Sequence, residues 1–415
     1  MMDTTTPKPN LLYNSLTISN KPQTPTFSSL DFCFFDDLLT PEESQFRQQV
    51  REFADTEITP TICEYYEKAA FPQSILEKLG QKGWIKSFVD KPYGEGKNPM
   101  YFGLLLLEIA RGDPSIATTV FVHTGVILYT LQPFGSDEHK KLIPDMASFK
   151  KYCGWGLTEP NFGSDAANIQ TKAKKVPGGY QLDGSKRWQG NANRDFLVVW
   201  AKNQDRNQVD GFLVPINTPG VKIQVIKNKL ALRCVQNCQI TLDKVVIPED
   251  ARLPHANGGF LEISKGLAYS RLFAAWVAVG IAVGVYDNAI KYVNKREQFS
   301  AKISSFQLTQ EKLALMMGHI QGMLLMIWRL TRMYEANKMT GGMSSMAKAW
   351  LTSRCREVAR LGREMMGGNG IIADNYVMRA LNDIEGVHTY EGTYEINSLV
   401  AGRELTGINA MKAKL

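Results

Sequence analysis

The hydrophobic period of this chain changes twice, and few architectures accommodate that order. From residue 38 to about 150 the apolar residues recur every three or four positions. From 151 to about 257 they fall in short β-rich runs, and beyond 258 the helical period returns. An all-helical domain, a β-domain of sandwich or barrel type and a C-terminal four-helix bundle are therefore expected in series, an α+β chain. At 415 residues there is room for two or three such domains and a large core.

Local signals support each block. Thr40-Pro41-Glu42-Glu43 combines a capping hydroxyl, a first-turn proline and a glutamate at the third helical position. The helix it opens is expected to run to about Thr56, and further helices over Pro72 to Lys82, Tyr101 to Arg111, Ser115 to Leu131 and Ser136 to Met146. Strands are expected over Tyr152 to Leu157, Tyr180 to Leu182, Phe196 to Ala201, Gly211 to Pro215, Val221 to Ile226 and Gln239 to Ile247. Pro177-Gly178-Gly179 and Asp183-Gly184 read as turns between them. Four long helices follow: Leu267 to Val293, with Gly280 and Gly284 spaced for close helix packing, Thr309 to Asn337, one from about Ser344 to Gly367-Gly368, and one after Glu395. Residues 1 to 37, rich in Thr, Pro, Ser and Asn, read as a flexible extension.

Composition narrows the function. Lys and Arg number 48 against 41 Asp and Glu, so a net +7 chain suits anionic ligands such as nucleotides or coenzyme A. The excess is dispersed, with no run of like charge to mark a nucleic-acid stripe. Cys33, Cys63, Cys153, Cys234, Cys238 and Cys355 lack paired metal-ligand spacing, and the five histidines are scattered, so free thiols and no metal centre are expected. The longest apolar run, Leu272 to Val285, is too short to span a bilayer. Ala413-Lys414-Leu415, after Met411 and Lys412, is similar to the peroxisomal Ser-Lys-Leu address that an import receptor reads.

Three stretches carry chemistry. His388-Thr389-Tyr390-Glu391-Gly392-Thr393-Tyr394-Glu395-Ile396-Asn397 sets a carboxylate beside glycine at an expected helix start, making Glu391 a candidate base. Glu391 and Glu395 also suit the positive end of a helix dipole, and that role stays open here. Leu157-Thr158-Glu159-Pro160-Asn161-Phe162-Gly163-Ser164-Asp165 leaves a strand and enters a turn that presents N–H groups and hydroxyls. Lys186-Arg187-Trp188-Gln189-Gly190-Asn191 places an indole at a strand end, either against a flat ring or in the core.

These three, with Arg296-x-Gln298-Phe299 and Gly367-Gly368-Asn369-Gly370 between them, occur in an order that resembles the acyl-CoA dehydrogenase and oxidase flavoproteins over roughly residues 38 to 408. Within that family the chain looks most like the short plant-type peroxisomal acyl-CoA oxidases, relatives of glutaryl-CoA dehydrogenase. The resemblance implies FAD as cofactor and an acyl-CoA, short-chain by closest similarity, as substrate. It makes Glu391 the base that removes the α-proton while the β-hydrogen leaves as hydride, giving a trans-2-enoyl-CoA. It implies that Leu157, Thr158, Trp188 and Gly190 contact the flavin ring, and that Ser164 contacts phosphate and ligand. Arg296, Gln298, Gly367 and Gly368 would hold the FAD pyrophosphate and adenine, mostly from a neighbouring subunit. Thr393 and Glu395 would meet the cofactor again, and Arg271 and Gly392 would adjoin the substrate. A homotetramer or homodimer follows.

Departures from the family pattern sharpen the reading. Ala117 and Thr118 stand where glutaryl-CoA dehydrogenases carry an Arg-Ser pair, which disfavours a dicarboxylic substrate. Ser270 occupies the position where some relatives place the base, which leaves Glu391 without a rival. Gly190 replaces a common threonine, Ser300 a common glycine and Ala268 an aspartate used toward the ligand. Molecular oxygen is the expected electron acceptor, giving hydrogen peroxide in the first step of peroxisomal β-oxidation; the alternative is a dehydrogenase that passes its electrons to an electron-transfer flavoprotein, with mitochondrial residence. A DNA-associated flavoprotein of the same fold is a different class, disfavoured by the intact Glu391 and the dispersed charge. Recruitment to a branched or aromatic acyl-CoA is a further possibility.

Overall fold

The computed structural model describes residues 31–96 and 99–409. Most of the expected extension and the tail at 411–415 lie outside that range. Residues 31 to 37, counted with the extension, depart from expectation: Phe34 precedes a 3-10 turn, Phe35–Leu38, whose Phe35 is buried, and Asp36 pairs with Arg47.

The N-terminal domain is helical: α1 (Pro41–Phe53), α2 (Ile62–Lys68), α3 (Gln73–Gln81), α4 (Pro99–Gly112), α5 (Pro114–Val120), α6 (Tyr129–Phe134), α7 (Asp137–Lys140) and α8 (Ile143–Ala147). Thr40 and Glu43 form the expected reciprocal cap, each side chain accepting from the other's backbone N–H. Wider π-helical windings extend α1 over Ala54–Ile58 and join α5 to α6 over Phe121–Leu128. The second becomes part of the candidate site, as such windings often do.

Seven strands form the middle domain: β1 (Cys153–Gly156), β2 (Lys172–Val176), β3 (Gly179–Gly190), β4 (Phe196–Asn203), β5 (Gln208–Pro215), β6 (Val221–Val225) and β7 (Asn237–Pro248). The sheet order is β1-β4-β2-β3-β7-β6, with β5 also on β4. Pairing is parallel for β1 and β2 on β4 and antiparallel elsewhere. Strand alternation on β4 joins two cores: Leu197, Val199 and Ala201 face the β-domain interior, and Val198 and Trp200 join the helical core. Two expectations are corrected. β2 hides in a lysine cluster, because Ala173 alone turns inward between exposed Lys172 and Lys174. Asp183-Gly184 is a register shift inside the long β3, not a turn.

The C-terminal domain contains α9 (Phe260–Lys295), the short hairpin β8 (Glu297–Gln298) and β9 (Ala301–Lys302), then α10 (Gln307–Glu335), α11 (Gly341–Met365), α12 (Tyr376–Thr389) and α13 (Tyr394–Thr406). The four expected helices are present, and α12 is added to them, burying Val377, Ala380, Ile384 and Val387 at helical spacing. α9 packs along α4 at glycines: a Cβ on Gly280 would lie 2.2 Å from the Leu107 carbonyl oxygen, and one on Gly284 2.7 Å from that of Arg111. Among the described residues three helical stretches are long and apolar enough to cross a membrane, but the most apolar 18-residue windows of Pro114–Phe134 and Phe260–Lys295 are 89% and 94% buried in the protein, so their apolarity serves its core. Gln307–Glu335 is only half buried, leaving Leu308, Leu315 and Leu325 exposed.

Candidate active site

Glu391 lies in the turn between α12 and α13, which corrects its expected place at a helix start. Tyr390 closes α12, and the hydroxyl of Thr393 accepts the Ile396 N–H as the cap of α13. The backbone of the turn is unusual, since Glu391 has φ 57° and Gly392 φ 89°. For a glutamate this left-handed conformation costs about 1–2 kcal/mol, and residues held so often serve function. Side chains from three helices hold the turn. Arg271 of α9 donates from Nε to the Glu391 carbonyl at 3.1 Å, and Asn397 of α13 donates to the carbonyls of Glu391, Gly392 and Thr393 at 3.2, 2.7 and 3.1 Å. Lys348 of α11 donates to the carbonyls of His388 at 2.7 Å and Gly392 at 2.8 Å.

The Glu391 carboxylate accepts the Ser270 hydroxyl at 2.5 Å. Burial raises its pKa, partly opposed by the Ser270 hydrogen bond and by the charges of Arg271 and Lys348. The residue as a whole is only half-buried, so part of it stays open to a ligand while its carboxylate is largely withdrawn from solvent. Among the described residues the Glu391 N–H makes no hydrogen bond. Arg271 is no helix-surface arginine: it is 9% exposed, bonds Ser345 at 3.0 Å, and burial lowers its pKa. Glu395 takes the other course, exposed in the first turn of α13, where backbone hydrogen bonding and then Thr393 lower its pKa.

A narrow, mostly apolar cleft adjoins Ser270. Gly125 and Val126 of the π-helical winding, Tyr129, Trp155, Leu267 and Ser270 line it, and among the described residues Glu262 is the one charged group in its wall. Tyr129 stacks on Tyr269 with ring centroids 3.8 Å apart and an interplanar angle of 8°.

A second cluster brings together the two β-domain stretches. The Thr158 carbonyl accepts the Arg187 N–H at 2.9 Å and the Gln189 side-chain amide at 3.1 Å. Beneath them the fully buried Lys186 donates to the Leu157 carbonyl and the Glu159 carboxylate, each at 3.0 Å, and Glu159 also accepts the Gln170 and Thr171 N–H groups. Burial lowers the Lys186 pKa to about 8 despite Glu159. Sequence reading missed this pair; its only signal was a lysine and a glutamate in two β-rich stretches. Trp188 sits at a register shift with φ 75° and is 51% exposed, so it is not a core tryptophan. Ser164 is exposed, Leu157 is buried, and Thr158 and Gly190 are intermediate. Helix α5 links both clusters: the hydroxyls of Thr118 and Tyr390 are 3.4 Å apart, and the Asn191 amide donates to Thr119 at 3.4 Å.

Arg296, Gln298, Gly367 and Gly368 form no part of either cluster. All four are exposed at the far end of α9, where Asn369 donates to the Tyr292 hydroxyl at 2.9 Å and Phe299 is 92% exposed. Arg271 within α9 and Arg296 at its C-cap are separated by roughly 37 Å at 1.5 Å per residue. A ligand that met both Arg271 and Arg296 of one chain would have to span that length.

Three family models match the chain in order: acyl-CoA dehydrogenase N-terminal domain over 40–150, middle domain over 154–245 and C-terminal domain over 257–406. An acyl-CoA dehydrogenase of Bacillus subtilis is 31% identical over 376 residues, 89% of this chain and 99% of that protein. The mitochondrial short-chain specific acyl-CoA dehydrogenase of Rattus norvegicus is 29% identical over 372 residues, 88% of this chain and 90% of that protein. A glutaryl-CoA dehydrogenase of Mycobacterium smegmatis in complex with FADH2 superposes with a TM-score of 0.90 at 32% identity, covering 93% of this chain and all of that one.

Proposed function

Because the chain belongs to the acyl-CoA dehydrogenase family, we propose that it oxidises a short-chain acyl-CoA to the trans-2-enoyl-CoA, with Glu391 as the base. The observation that carries this reading is the setting of Glu391: a carboxylate made more basic by burial and bonded to the hydroxyl of Ser270, which itself lines the cleft. A proton α to a thioester is weakly acidic, so a base of raised pKa suits it. The Glu391 N–H, without an acceptor among the described residues, is available to the thioester oxygen as charge develops there.

FAD is the family's cofactor and supplies, when bound, the acceptor for the β-hydrogen. The described residues fit it. Trp188 presents an exposed indole beside Thr158, a Cβ on Gly163 would meet nothing within 4 Å, and Gly367 and Gly368 are equally open at the far end of α9. In this reading Leu157, Thr158, Trp188 and Gly190 flank the ring, Ser164 and Thr393 reach its polar edge and the ligand, and Arg296 and Gln298 grip the pyrophosphate of a neighbouring subunit's cofactor. A homo-oligomer is therefore part of the proposal.

The cleft wall supports a short monocarboxylic acyl group. Among the described residues no cation lines it, Ala117 and Thr118 offer none, and the Tyr129–Tyr269 stack adjoins its lining. The names of the relatives favour electron transfer to a protein acceptor. Reoxidation by molecular oxygen, with peroxisomal residence, is the second reading, carried by the similarity of residues 390–397 to the plant-type oxidases. An acyl-CoA panel assayed with an electron-transfer flavoprotein, and separately for peroxide without it, tests both. Glu391→Gln should lower kcat by about 10²–10⁴-fold; near wild-type turnover in that variant would refute the base.

A further inference from the structure

Lys348 is a fully buried lysine whose hydrogen-bond partners are two neutral carbonyls. The first, of His388, is among the last carbonyls of α12, which the helix itself leaves without a donor. The second, of Gly392, directly follows Glu391. Lys348 alone among the described residues donates to carbonyls on both sides of Glu391, whereas Arg271 and Asn397 reach carbonyls at and after it. One turn along α11, Thr352 meets His388 Nδ1 at 2.8 Å and fixes the same end of α12.

Burying an ammonium is a costly way to close a turn that an amide could close. What a lysine adds is charge. Burial lowers the Lys348 pKa to about 7, and Glu391 is the foremost influence in the opposite direction.

We propose that Lys348 is a positioning residue for the base: it locks the 390–393 turn so that the Glu391 carboxylate stays against Ser270 at the edge of the cleft, and its ammonium favours the ionised carboxylate. This rests on the reading of Glu391 as the base. The other titratable or charged groups facing the turn are Arg271 from α9, which acts in the same sense, His388 and Tyr390 from the end of α12, and Glu395 and Arg403 from α13. Glu395 and Arg403 are exposed and screened by solvent. The buried pair Arg271 and Lys348 therefore sets the field at Glu391.

The test uses the full-length, FAD-loaded protein as Lys348→Met, Lys348→Gln and Lys348→Arg. Two quantities are followed against pH: kcat and KM for butyryl-CoA, and the infrared carboxyl stretch that disappears in Glu391→Gln. Lys348→Met should raise both the acidic limb of kcat and the infrared midpoint by about one pH unit. Its kcat at neutral pH should fall about 10- to 100-fold with KM little changed. Lys348→Gln, which keeps a donor and so supports the fold if the methionine variant does not, should show the same midpoint shift with a smaller loss of kcat at alkaline pH. Lys348→Arg should keep the wild-type midpoint and lose kcat, because the longer guanidinium does not seat between the two carbonyls. Wild-type midpoints in the neutral variants, or a shifted midpoint in Lys348→Arg, would overturn the proposal. Failure of the wild type to oxidise any acyl-CoA would instead sink the reading of the function, while the infrared midpoints would still decide the role of Lys348.

Discussion

The hydroxyl of Ser270 donates to the Glu391 carboxylate at 2.5 Å, across a gap of 121 residues in the chain. A hydroxyl has one proton, and its other acceptor, the Leu267 carbonyl at 3.2 Å, is the weaker competitor. The bond lowers the Glu391 pKa against the larger effect of burial. Ser270→Ala should therefore raise the Glu391 pKa further and move the acidic limb of kcat upward by about one pH unit. Turnover falls at neutral pH and recovers in alkali, and a pH–rate profile identical to wild type would exclude this control of the base.

Glu159 and Lys186 form a buried ion pair beneath the 157–165 turn. Removing one partner strands the other. Glu159→Gln should cost about 3–5 kcal/mol, and the double variant Glu159→Gln/Lys186→Met should recover most of it, since an apolar replacement of a whole buried pair is often near neutral. Urea denaturation of the three proteins measures this, and FAD content reports whether the turn keeps its shape. A loss in the double variant as large as that of Glu159→Gln alone, or larger, would deny the coupling.

Gly280 and Gly318 are both helical glycines with opposite surroundings. A Cβ on Gly280 would strike the Leu107 backbone at 2.2 Å, whereas one on Gly318 meets nothing within 4 Å. Gly280→Ala should destabilise by about 1–3 kcal/mol, and Gly318→Ala should stabilise by up to about 1 kcal/mol through helix propensity. Thermal unfolding at one pH compares them, and equal shifts in Tm would contradict the packing of α9 on α4.

Asp383 is buried where α12, the 229–235 loop and α5 meet. It accepts the Leu232 N–H and the Ser115 hydroxyl, and a second buried carboxylate, Asp113, lies in the same cluster. Burial first, then repulsion from Asp113, raises its pKa from 3.8 to about 8. The raised folded-state value means that the unfolded chain releases this proton near pH 4 and the folded protein near pH 8. Its contribution to stability is thus complete below about pH 4 and is lost as pH rises toward 8. Asp383→Asn cannot ionise, so its Tm should gain on wild type between pH 5 and pH 8. A constant difference in Tm across that interval would count against a protonated Asp383.

Much of this architecture is legible before any coordinates. Thr40-Pro41-Glu42-Glu43 announces α1 because a cap is a local device that the next turn of chain completes by itself. β2 is not legible, since three lysines in five residues mask the single inward Ala173. The site divides in the same way. The stretches holding Thr158, Trp188 and Glu391 can be found as motifs, but Ser270, read only as the place where a rival base is missing, turns out to be a donor to Glu391. Lys348 gave no signal at all. A lysine on a helix reads as a solvated face, and its burial arises only when α11 passes under a turn some forty residues later.

Helix α9 runs 36 residues, and roughly 37 Å of it at 1.5 Å per residue separates Arg271, beside Glu391, from the exposed surface of Arg296. On the proposed reading it works as a ruler. Each subunit lends a base to one cofactor and a phosphate grip to another, and the spacing between those sites is set by a rigid rod. Inserting or deleting a single turn of α9 would then leave both ends correctly built and the pair of subunits out of register. The smallest unit able to react would be two chains joined, and dilution below their association threshold would silence chemistry whose base is still intact.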